Sequence, residues 1–174
     1  MKPILAVMIG GLIIMMSCVT AFAETGNAVI RATTEGSTIS GTAVLTDAPQ
    51  GLQVNVRVTG VSPGKHGLHV HQYGSCEEAG NAAGSHFNPD SVPHGFLPLD
   101  GLQKAHPGDL GNIDVGQDGT GSLSVVLAGV TLGSGTYSIG GRAIILHANV
   151  DDFSQPTGNA GGRIGCGPIL LTTE

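Results

Sequence analysis

At 174 residues the chain has room for one ordinary domain and not comfortably for two. Its 29 glycines and 3% aromatic residues predict many turns and a core of Val, Ile, Leu and Ala. A formal charge of −6, with no run of Lys or Arg, excludes the basic footprint that a nucleic-acid partner needs.

The first 23 residues stand apart. Lys2 is a positive start, positions 4–16 are almost uninterruptedly apolar, and Ala21-Phe22-Ala23 is an A-x-A cleavage site. That layout predicts a secretory signal peptide over residues 1–23, since the apolar run is short for a membrane span. Ser17-Cys18 offers a second cleavage point, which would leave a lipidated Cys18 as the one membrane attachment. Met15 and Met16 before it fit that pattern poorly. Cleavage after Ala23 leaves a single domain, residues 24–174, exported to a periplasm or secreted. Two cysteines remain in it, Cys76 and Cys166. In an oxidising compartment such a pair reads as a disulfide, with two free buried thiols as the alternative.

Along the domain, short apolar or alternating runs are broken by glycine. Positions 28–34 and 38–45 read as strands, and 52–58 alternates Leu52, Val54, Val56 and Val58 with Gln53, Asn55 and Arg57. Further strands are predicted at 67–71, 111–115, 121–128, 142–148 and 168–172. About eight short strands, with no amphipathic helical stripe, predict an all-β sandwich or closed barrel. Two stretches break the pattern, 72–110 and 149–164. Loops of that length are usually functional or disordered, and metal ligands or a disulfide can order a loop that lacks its own core.

Both loops are bordered by histidines. His69 and His71 are two apart in a strand and project from one face, which suits chelation of one ion. His86, His94, His106 and Asp109 lie in the first long loop, and three nitrogens with one carboxylate oxygen make a closed tetrahedral zinc set. His147 ends a strand; it is either a cap or, if the fold brings it there, a companion of His69 and His71. His66 falls on the opposite strand face from His69 and is expected to be structural, bonded to backbone.

Four segments then carry a resemblance: GKHGLHVHQYGSC from Gly64, GSHFNP from Gly84, HPGDLGN from His106 and GNAGGRIGCG from Gly158. In order and spacing they resemble the copper–zinc superoxide dismutases, from about Ala28 to the C-terminus. The resemblance implies an eight-stranded Greek-key β-barrel with two long functional loops, the family being a stock example of sandwich architecture. It implies one copper ion, on His69, His71, His86 and His147, and one zinc ion, on His86, His94, His106 and Asp109. His86 would bridge the metals and deliver a proton to the product. Arg163 would dock the superoxide anion. Asp151 would link a copper histidine to a zinc histidine, and outer partners of that kind fix imidazole tautomers. Cys76 would pair with Cys166.

Some features depart from the common cytosolic members. Eleven residues separate His94 from His106, and Ser154-Gln155-Pro156-Thr157 stands where cytosolic members carry glutamates and a lysine. The family is itself the standard case of electrostatic steering, which here would rest on Arg163 and other basic residues. The resemblance allows a homodimer, with contacts that differ between branches. A dismutase-like module that stores or delivers copper or zinc is the non-enzymatic alternative. Degenerate members of that kind lose copper ligands or the arginine, and here every such position is filled.

Overall fold

In the computed structural model, which describes residues 23–172, the alternation of the sequence becomes a barrel wall. The predicted signal peptide, but for Ala23, and the lipidation alternative at Cys18 fall outside the described residues. In β3 (Gly51–Thr59), Leu52, Val54, Val56 and Val58 are buried while Gln53, Asn55 and Arg57 face outward. The wall is completed by β1 (Thr25–Ala32), β2 (Ser40–Ala48), β4 (Gly64–His71), β5 (Asp109–Val115), β6 (Gly121–Leu127), β7 (Ala143–His147) and β8 (Arg163–Pro168). Neighbouring strands are antiparallel and run β2-β3-β6-β5-β4-β7-β8-β1, closed by pairing of β1 with β2. β4, β5 and β6 are successive neighbours and β7 returns beside β4, which is the Greek-key order. The expected eight-stranded barrel therefore forms, and β9 (Leu170–Thr172) adds a short extra strand on β1.

The last barrel strand lies elsewhere than the sequence predicts. Residues 163–168 close the barrel as β8, whereas 168–172 was expected to do so, and 163–164 was expected in a loop. Gly165 and Gly167 mask this strand, because glycine lowers apparent strand propensity. They are there for close approach: a Cβ on Gly167 would lie 2.8 Å from the Val29 carbonyl, and one on Gly165 3.0 Å from the Ile30 side chain.

Ile30, Leu45, Leu52, Leu68, Leu110, Ile113, Leu127, Ile144 and Leu146 fill the barrel. β4 and β7 are buried on both faces. Their inward residues, Leu68, Val70, Ile144 and Leu146, join that core. Their outward faces carry His69, His71 and His147 beneath the two long loops. The first loop, residues 72–108, holds a 3-10 helix (Glu78–Ala83) and a single-turn helix, α1 (Leu97–Asp100). It is tied to β8 by a Cys76–Cys166 disulfide with a Cα–Cα distance of 5.7 Å, over a small apolar cluster of Ala83, Ala143 and Ile145.

Candidate metal centre

The strand pleat sets His69 and His71 side by side, and the loop backbone folds back onto β4 to deliver the next ligand. Phe87 N–H donates to the Val70 carbonyl at 2.9 Å, and His86 forms a β-bridge with His71. β7 pairs with β4, so His147 at its end reaches the same face. Asp109 opens β5 opposite His69, and His106 and His94 close on it from the loop. The six histidines and Asp109 are all buried. One donor atom each from His69, His71, His86 and His147 lies within 4.8 Å of the others, as do those of His86, His94, His106 and Asp109. His86 belongs to both groups. All the side chains singled out from the sequence as metal-ligating are thus brought together.

Hydrogen bonds assign the ring nitrogens. His71 Nδ1 donates to the Gly84 carbonyl at 2.9 Å, and His147 Nδ1 to the Gly161 carbonyl at 3.1 Å. Their Nε2 atoms are therefore bare, and they face each other at 3.4 Å. Burial keeps both rings neutral, lowering His71 to about 2 and His147 to about 3. His69 Nε2 donates to Asp151 Oδ2 at 2.8 Å, which leaves its buried Nδ1 without a partner. Converging lone pairs in a buried pocket are costly unless a cation lies among them. The donor set therefore fits a metal ion, and neutral imidazoles suit copper and zinc alike.

The second group centres on Asp109. Its Oδ1 lies 3.0 Å from both His86 Nδ1 and His106 Nδ1, while Oδ2 accepts from the backbone of Gly95 and His106. His94 Nδ1 stands 2.9 Å from Asp109 Oδ2 yet is not aligned for a hydrogen bond, as expected of two ligands aimed at a common ion. Burial works to raise the Asp109 carboxyl, but the surrounding histidines hold it well below the usual carboxylate range. Burial lowers His86 to about 4 against the pull of Asp109. Burial also opposes the charge on His94, but the adjacent carboxylates of Asp109 and Asp151 outweigh it and lift the ring to about 9. A metal would displace that proton.

Asp151 spans the groups, with His69 Nε2 on one side and His94 Nε2 at 2.9 Å on the other. Its backbone is fixed by Asn112, which donates to the Asp151 carbonyl and accepts from its N–H. Sequence reading missed Asn112, although it ends the HPGDLGN segment; the signal was there without a partner to explain it. His66 is structural as expected, with Nδ1 2.9 Å from the His147 carbonyl and Nε2 2.9 Å from that of Ser62.

Arg163, at the start of β8, is half-buried, and its guanidinium donates to the carbonyls of Gly80 and Gly84 at 2.6 Å each. With His71, His86, His147, Ser85 and Gly161 it lines a cleft of about 180 Å³. A roomier apolar hollow of about 290 Å³ beside the disulfide, lined by Val29, Arg31 and Leu170 among others, has no histidine in its lining.

Residues 39–169 match the family described as copper/zinc superoxide dismutase (SODC). The chain is also similar to a solved structure, that of the clock protein EA4. Their identity is 36% and the TM-score 0.75, over 90% of this chain and 100% of that one. With the barrel, the shared histidine and the paired donor sets already in place, the chain belongs to the copper/zinc superoxide dismutase family.

Proposed function

We propose that the chain is an exported enzyme that converts two superoxide anions and two protons to one dioxygen and one hydrogen peroxide. The observation that carries this reading is the sharing of His86 between two buried donor sets, one of which faces a cleft bordered by Arg163. His69, His71, His86 and His147 would hold copper, and His86, His94, His106 and Asp109 zinc. When bound, copper supplies a one-electron couple and zinc a fixed charge without redox chemistry.

The chain's own residues do the rest. Arg163 is pinned by carbonyls rather than carboxylates, so its charge stays available to a small anion. The cleft has room for a few water-sized molecules, which suits a small anion. The Gly84 and Gly161 carbonyls hold His71 and His147 in the tautomer whose Nε2 is free to ligate. His86 turns Nδ1 toward Asp109, which leaves Nε2 as the atom that can hand a proton into the cleft. Removal of a signal peptide at residues 1–23 would leave the domain 24–174 in a periplasm or outside the cell, and a disulfide spanning 90 residues suits that compartment.

The test is metal content and dismutase activity on one purified sample, before and after copper loading. The expected result is about one copper and one zinc per chain, with activity that depends on copper. Both metals without activity would replace the enzyme by a copper- and zinc-binding module. The similarity to a protein named for a clock role makes that the alternative worth resolving.

A further inference from the structure

The segment that departs from the cytosolic pattern makes a contact of its own with the zinc half of the centre. Gln155 Oε1 accepts from the His94 N–H at 2.9 Å, and Gln155 Nε2 donates to the His94 carbonyl at 2.8 Å. One side-chain amide thus pairs with both backbone polar groups of a single residue, as a neighbouring strand would. Two positions back, Phe153 lies nearly parallel to the His94 ring, with centroids 6.3 Å apart and planes at 22°. Two further back, Asp151 holds the far nitrogen of that ring. Three alternate residues of one loop therefore grip His94: its tail, its ring face and its backbone.

We infer that Gln155 is a positioning residue for the zinc set, fixing the backbone of His94 so that Nδ1 stays aimed beside Asp109. The inference rests on the zinc assignment proposed above. A glutamine is fitted to this task because it offers a donor and an acceptor in one plane, which neither glutamate nor lysine does. Its place matters too. With His86, His106, Asn88 and Thr157 it lines an opening of about 420 Å³ on the zinc side of the centre. His94 itself does not line the opening: its side chain is fully buried beneath this loop, so the contacts the loop makes set its aim. Asp151 alone cannot do this, because a ring tethered at Nε2 still swings with its backbone.

The test compares zinc transfer from the zinc-loaded full-length protein, Gln155→Ala and Gln155→Glu to a chromogenic chelator. Loss of an outer partner typically costs about 10–100-fold in metal affinity, and release is expected to quicken on that scale in Gln155→Ala. Gln155→Glu keeps the acceptor but sets a second oxygen against the His94 carbonyl, so it is impaired in the same direction. Cobalt(II) bound in place of zinc should show an altered visible spectrum in both variants, while the melting temperature of the metal-free protein barely moves. Release at the wild-type rate with an unchanged cobalt spectrum overturns the inference and leaves the zinc assignment standing. An equal fall in melting temperature with and without metal overturns it in favour of simple loop packing. A wild-type protein that holds no zinc overturns the assignment, and the inference with it.

Discussion

Asp109 does more than donate one ligand atom. It accepts two backbone N–H groups and stands beside three imidazoles, all out of water. Asp109→Ala would orphan buried donors at about 1–3 kcal/mol each. With roughly 3 kcal/mol lost in all, at about 2–4 °C per kcal/mol for a chain of this size, the melting temperature should fall by roughly 6–12 °C. Calorimetry that shows no change at full zinc occupancy would remove Asp109 from the ligand set. His147 predicts a different outcome. Its carbonyl, which receives His66, survives truncation, so the fold is expected to hold. His147→Ala should lose copper and more than about 100-fold in activity, beyond what an outer partner costs, while zinc stays; full retained activity would void its role as a ligand. At this scale the sequence was partly legible. The pleat alone made His69 and His71 neighbours. That His147 joins them depends on β7 pairing with β4, a contact some 75 residues distant that no local pattern encodes.

Elements explain what local reading could and could not find. β3 was legible because only one of its faces is buried, which leaves a clean alternation. β8 was not, because the same close packing that requires Gly165 and Gly167 erases the apolar pattern a strand is recognised by. The loops posed the reverse difficulty: their length announced a function, but their path is set by side chains that meet only after folding. Gly158 marks one such meeting. Its φ is +72°, and a Cβ there would run into Asp151 Oδ1 and come within 2.7 Å of His94 Nε2. Gly158→Ala should therefore separate Asp151 from His94 and weaken zinc retention, by about 10–100-fold if the loss resembles that of other outer partners. Unchanged zinc release in this variant would mean that the loop moves aside without disturbing the pair.

For the whole molecule, the disulfide and the anion site form one construction. Cys76 begins the stretch that carries Gly80 and Gly84, and the carbonyls of those two glycines hold Arg163, three residues before Cys166. The Gly84 carbonyl also receives His71, so one short segment sets both the docking charge and a copper-side imidazole. Among the described residues the disulfide is the one covalent cross-link between this loop and β8, and a loop closed over 90 positions is a large restriction on the unfolded chain. In the chain-entropy treatment its loss costs about 4–5 kcal/mol. That corresponds to a fall of roughly 8–20 °C in melting temperature for a chain of this size. Replacing both cysteines by serine should produce that fall. At temperatures where the variant is still folded, it should also bind a small anion such as azide more weakly in the copper-loaded protein, because the carbonyl pair no longer holds Arg163 at the cleft. A lowered melting temperature with unaltered azide affinity would separate the two roles. It would show that the hydrogen bonds from Arg163 and His71, together with the metals, are enough to keep the segment in place without the covalent tie.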